Sequence, residues 1–157
     1  NEEINMKECI ESCSFADEVI VIDDNSDDRT KEISESLGAK VINRSMNGDW
    51  GGQQTFAIQQ ATCNWIFFID ADERCTPALC EEIKMVVAKG DKYGYWVRRI
   101  NHFKHKVVKH GPLSPDWVCR FSCFFYNIIL GSFQELFIKN LDSLSSYSLY
   151  LAPSYIV

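Results

Sequence analysis

The amino-acid sequence predicts an α/β fold in which a mainly parallel sheet is flanked by helices. Two observations carry that expectation. Short apolar runs alternate with segments of helical period, and two of the apolar runs stop abruptly in clusters of carboxylates. Strands that alternate with helices pair in parallel through right-handed crossovers. A chain of 157 residues is long enough for one domain with its own core.

Residues 2–13 read as a helix, because Met6, Cys9, Ile10 and Cys13 recur at helical spacing and Asn1 is available to cap it. Residues 18–22 form a short apolar run bounded by the acidic turn 23–28, which suits a buried strand. A helix over 30–37 follows with Gly38 as its C-terminal cap, then a strand over 40–43 and a glycine-bearing loop over 47–52. Residues 53–62 look helical, and 65–69 form an apolar strand that runs into Asp70-Ala71-Asp72-Glu73. Thr76 caps the next helix, Pro77 fills its first position, and Gly90 ends it. Residues 93–100 are a further strand. Beyond Arg120 the only charged side chains are Glu135, Lys139 and Asp142, and no period survives, so 1–120 reads as a partial domain and 121–157 as a diverged or frameshifted tail.

Composition narrows the function classes. The net charge of −6 argues against a nucleic-acid polymer as partner, because phosphate backbones need a basic face. No apolar run reaches the roughly 18 residues that span a bilayer. A cytoplasmic location is expected, with contact at the inner face of the membrane as the alternative. The seven cysteines include no Cys-x-x-Cys pair and read as buried thiols; Cys75 and Cys80 with His102 or His105 match no usual zinc spacing.

The acid clusters carry the chemistry. Asp23-Asp24 follows the first apolar strand and Asp70-x-Asp72 the third. Ligands of open parallel sheets bind outside the carboxyl ends of the strands, so both clusters are expected to face one crevice. Carboxylates gathered that closely need a cation or hydrogen-bond donors to compensate them. Magnesium or manganese suits Asp70 and Asp72, which alternation along an extended segment places on one side. Asp23 and Asp24 can accept from a base or from ribose hydroxyls.

These residues resemble the family 2 glycosyltransferases of the GT-A (Rossmann-like) fold. The resemblance rests on Asn1-Glu2-Glu3-x-Asn5, on Val19 through Thr30 with its Asp-Asp-Asn-Ser core, on Gly38-Ala39-Lys40-Val41, and on Trp65 through Glu73. The Asp-Ala-Asp-Glu form, with Arg99-x-Asn101-x-Phe103, Lys109-His110-Gly111 and Pro115-Asp116 behind it, is similar to the branch of lipopolysaccharide core β-glucosyltransferases. The resemblance covers residues 1 to about 120. It implies that the family's first strand is missing ahead of Asn1. It also implies that Glu3, Asp23, Asp24, Gln53 and Asp70 line a nucleotide site and that Asp72, with Asp70, holds a divalent cation. The implied reaction is inverting transfer from a nucleotide-sugar donor, a UDP-sugar first among them, to a glycan or lipid-linked acceptor in cell-envelope polysaccharide biosynthesis. Glu135 is the implied candidate for the catalytic base.

Other residues carry two readings. The segment from Arg98 to His110 bears five cations and no carboxylate. It reads either as a solvated strand and loop or as a surface for a diphosphate, a phosphorylated glycan or anionic headgroups. Trp50 serves equally as a lid over a sugar or as a plug on the core. A phosphoacceptor receiver domain would also use Asp23, Asp24 and Asp70, and a non-catalytic glycosyltransferase remnant would share every motif. Against the receiver, a whole helix precedes the first acid pair, and Asp72 and Glu73 add charge where a phosphoryl group would sit.

Overall fold

The computed structural model describes residues 1–90, 94–104, 106–112 and 114–123, together with the strand backbones Ile138–Leu141 and Tyr155–Ile156. In chain order the elements are α1 (Met6–Ser12), β1 (Ile20–Asp23), α2 (Thr30–Ser36), β2 (Lys40–Asn43), α3 (Trp50–Gln60), β3 (Trp65–Phe67) and β4 (Ile69–Asp70). They continue with α4 (Pro77–Lys89), β5 (Gly94–Arg99), β6 (His102–Phe103), β7 (Lys106–Val107), β8 (Asp116–Cys123), β9 (Ile138–Leu141) and β10 (Tyr155–Ile156).

The fold is α/β as expected, with parallel pairing concentrated in one of its two main sheets. One sheet has the order β2-β1-β10-β4, and β1 pairs in parallel with β2. Because β10 is antiparallel to both β1 and β4, those two strands run the same way. The other sheet, β3-β8-β5-β9, is antiparallel at β3–β8 and β8–β5 and parallel at β5–β9. β8 extends from Asp116 to Cys123, with a register shift against β5 between Tyr95 and Trp96.

Alternation along the strands explains the layering. Val21 and Ile69 join the apolar cluster under α1 and α4, whereas Ile20, Ile22, Ile66 and Phe68 join a second cluster with Ala57 of α3. Both faces of this sheet are therefore covered. Phe121 of β8 stacks on Trp65 of β3 at 4.8 Å between ring centroids and meets Tyr95 of β5 at 5.8 Å, which ties three neighbouring strands of the second sheet together on one face. Full burial of residues such as Ile20, Ile22 and Leu79 contributes about 1.5–3 kcal/mol each.

Helix ends follow local chemistry. α4 starts as expected, with Thr76 Oγ1 accepting from the Leu79 amide and Pro77 behind it, and ends on Gly90 in the left-handed region at φ 68°. α3 begins earlier than its glycines suggest: the Asp49 carboxylate accepts from the Gly52 amide and so draws Trp50, Gly51 and Gly52 into the first turn. Trp50 stands half exposed there. Asn1 does not cap α1. Its amide oxygen accepts from the Asp27 amide, so the chain start is tied to the acidic loop rather than to the helix.

Candidate functional site

Both acid clusters lie at one edge of the sheet. Ile22 and Asp70 are each registered against Tyr155, which places β1 and β4 two strand spacings apart, about 10 Å. Asp23 closes β1 one residue further on. Loop geometry then fixes each carboxylate, through donors both near and far in sequence.

In the first cluster the donors are neutral. Asp23 is buried and accepts from the Ser26 amide at 3.0 Å and from the Ser26 hydroxyl. Asn25 takes the left-handed conformation at φ 55° to close that turn. Asp24 accepts from the Met46 amide at 2.9 Å. Asp28 accepts from the amide and hydroxyl of Thr30 and from the Glu3 amide at 3.1 Å. Slight desolvation raises the Asp28 pKa, but these hydrogen bonds outweigh it and hold the carboxyl below its ordinary value. Glu3 itself is exposed, and its carboxylate accepts from the Arg29 amide ahead of α2.

The second cluster is compensated by guanidinium groups. Strand β4 ends at Asp70, and the Glu73 amide donates to the Asp70 carbonyl at 2.9 Å. Asp72 therefore sits on a turn, not on the extended segment that simple alternation implies. It is 4% exposed. Arg120 grips both carboxylate oxygens of Asp70 and reaches Glu73 Oε1 at 3.3 Å. Arg99 joins Glu73 at 3.4 Å to Asp116 at 2.9 Å, and Asn101 donates to the same Asp116 oxygen. Arg74 donates to the carbonyls of Ala71 and Glu73 and to Asn5 Oδ1, bracing the turn from outside. Glu73 is fully buried, and that desolvation, with the nearby Asp70, raises its pKa against the pull of Arg120 and Arg99.

Gln53 is fully buried, and both ends of its amide engage Arg44: Nε2 donates to the Arg44 carbonyl at 3.2 Å and Oε1 accepts from its guanidinium. Arg44 also lies 5.0 Å from the centre of the Phe56 ring. Gln53 thus orients Arg44 rather than facing the crevice itself. Among the described residues, no group of three His, Cys, Asp or Glu side chains is arranged to hold a metal. Glu135 and His105 lie outside the described residues. An apolar cavity of about 560 Å³ lies elsewhere, lined by Phe15, Val19, Trp65, Phe67, Ile83 and Phe121 among others, beside the starts of β1 and β3 and so away from the acid edge.

The profile of the family described as "Glycosyl transferase family 2" matches residues 1–144. The chain belongs to glycosyl transferase family 2. Relatives agree: an uncharacterized glycosyltransferase of Rickettsia bellii is 40% identical over 101 residues, which is 64% of this chain and 34% of that protein. The lipopolysaccharide core biosynthesis glycosyltransferase LpsC of Rhizobium meliloti is 36% identical over 100 residues, 61% of this chain and 37% of that protein. The chain thus spans about a third of the length of these relatives. The S. aureus TarS 1–349 structure in complex with UDP superposes with a TM-score of 0.70 at 18% identity, over 98% of this chain and 58% of that one. That likeness establishes the GT-A fold.

Within this family 2 chain, the structure brings Asp23, Asp24, Asp70 and Asp72 to one edge and gives Glu3 and Gln53 supporting contacts. Sequence reading did not assign roles to Glu73, Arg99, Asp116 and Arg120. A single signal was available for Arg120: an arginine inside the otherwise apolar run Trp117–Cys123 must find carboxylates when that strand is buried.

Proposed function

We propose that this chain is the donor-binding part of a glycosyltransferase that moves a sugar from a nucleoside diphosphate donor to a glycan or lipid-linked acceptor. The observation that supports it most is the pairing of Asp72, a buried carboxylate on the turn after β4, with the Asp23-Asp24 pair on the same sheet edge. UDP in the TarS structure and lipopolysaccharide core biosynthesis in the name of LpsC support a UDP-sugar donor and a cell-envelope polysaccharide as the acceptor's setting.

A hard divalent cation fits the residues present. Magnesium and manganese take one or two protein carboxylates and complete their shell with phosphate and water, so a set of three protein ligands is not required. Asp72 would hold the cation first, because Asp70 is already bridged to Arg120. A bound cation would supply charge neutralisation for the departing diphosphate. Asp23 and Asp24 would receive the base and ribose, and Arg44, turned by Gln53, would add positive charge beside them. In an inverting displacement the acceptor hydroxyl attacks the anomeric carbon and surrenders its proton to a carboxylate, the role for which Glu135 is retained.

Calorimetry with UDP, with and without manganese, tests this on the wild type and on Asp72→Asn. Binding that needs manganese and weakens at least tenfold in the variant is expected. Metal-independent binding that the variant leaves unchanged would remove Asp72 from the site. A folded protein that binds no nucleoside diphosphate would sink the donor-site reading altogether.

A further inference from the structure

We infer that the hairpin β6–β7 is a membrane-docking element whose partner is the surface of an anionic lipid bilayer. The chain is acidic overall, at −6, yet Arg98 to His110 holds five of its 16 lysines and arginines and no aspartate or glutamate. Charge of one sign gathered on one projection of an oppositely charged protein is a directed field rather than ordinary surface solvation.

The structure sorts four of those cations, all but Arg98, into two groups. Arg99 is turned inward, bound to Glu73 and Asp116. Lys104, Lys106 and Lys109 are exposed, and among the described residues no carboxylate lies within ion-pair distance of them. Interleaved with them are Phe103, 68% exposed, and Val107, 46% exposed. Phe103 and Lys106 face each other across the hairpin, and Lys104 lies 5.6 Å from the centre of the Phe103 ring. An aromatic ring held out in water among lysine ammonium groups suits the headgroup layer. The ring enters the acyl boundary there while the lysines meet lipid phosphates. A soluble phosphate would use the lysines and leave Phe103 and Val107 unexplained.

The hairpin is firmly mounted. The β5–β8 pair ends at Arg99 and Asp116, and the Val108 amide donates to the Asn101 carbonyl at 2.8 Å to close the hairpin's base. Asn101 is buried and bound to Asp116. The strand β5 runs parallel to β3, since both are antiparallel to β8, so the hairpin leaves from the edge that carries Asp70. Docking there brings that edge towards the bilayer. On the proposed function, that is where a lipid-linked acceptor would be presented.

Sedimentation of the full chain with vesicles tests this without any donor or cation. Vesicles of phosphatidylcholine containing phosphatidylglycerol are expected to retain the chain at low salt, and pure phosphatidylcholine vesicles to release it. Each exposed lysine near an anionic surface is worth about a fivefold factor in partitioning. Lys104→Glu with Lys106→Glu should therefore lower binding more than 25-fold, and Phe103→Ser should lower it further at every salt concentration. Circular dichroism checks that these exposed variants remain folded. Equal binding to neutral vesicles, no binding to any vesicle, folded variants that bind as wild type, or release by millimolar inorganic phosphate at constant ionic strength would each overturn the assignment. Because UDP is absent throughout, failure here leaves the donor-site reading standing, and failure of UDP binding leaves this one standing.

Discussion

The two acid clusters at the sheet edge face the same electrostatic problem and are stabilised in different ways. Asp23, Asp24 and Asp28 accept from backbone amides and hydroxyls, and no guanidinium reaches their carboxylates among the hydrogen bonds described. Asp70 and Glu73 share Arg120, and Arg99 extends the network to Asp116. The first arrangement keeps its negative charge while fixing the loop, which suits a surface that receives hydroxyls and N–H groups. The second neutralises buried charge inside the protein with guanidinium groups. The neutral donors are partly local, from Ser26 and Thr30, and partly distant, from Met46 and Glu3, whereas the arginines all come from strands 26 to 50 residues away.

That contrast sets the order of expected effects. The largest is Arg120→Met, which strands Asp70 without its cation and leaves Glu73 with Arg99 alone. Breaking a buried pair on one side costs about 3–5 kcal/mol, readable as a lower urea midpoint. Adding Glu73→Gln to that variant should recover part of the loss, and a strictly additive double variant would break the idea that the two form one network. Thr30→Val comes next. It removes the acceptor of the Glu2 amide and a donor to Asp28, a loss of about 1–3 kcal/mol in the same assay. A cost equal to that of Arg120→Met would erase the distinction between the clusters. Arg29→Ala is the smallest: its partner Glu32 is two-thirds exposed, and the urea midpoint should not move measurably.

The clusters should also respond to pH in opposite senses. Glu73 holds its proton more tightly in the folded chain than its ordinary value of 4.5. As pH rises from about there through the raised folded value, the unfolded chain releases the proton first, so this group's contribution to stability falls. Asp28 is displaced the other way from 3.8. Its contribution is complete above that value and is lost as pH falls through the lower folded value. Comparing urea midpoints across pH for wild type, Glu73→Gln and Asp28→Asn isolates each slope. Wild type should lose ground to the glutamine variant towards neutral pH and to the asparagine variant towards strong acid. Slopes of the same sign would contradict the assignment of the two environments.

Much of the frame was legible in the residues. β1, α2, β2 and α4 lie within two residues of their expected bounds, because apolar runs, caps and a left-handed glycine act over a turn or less. The placement of acids at strand ends was legible for the same reason, and so was the family, since its motifs recur in order along the chain. Other features required the chain to be folded. That Glu3 caps the approach to α2, that Gln53 serves Arg44, and that Arg120 takes hold of Asp70 each depend on partners brought together by sheet register. Strand pairing itself was of this kind: β8, its apolar run interrupted by Arg120 and Ser122, is set as a strand by β3 and β5, its two hydrogen-bonding neighbours. Sequence alone determined which groups carry charge and where β1, α2, β2 and α4 start and stop, since those are local free energies. Tertiary structure decided which charge meets which, because desolvation and ion pairing are set by neighbours in space, and at a buried site that choice outweighs any local preference.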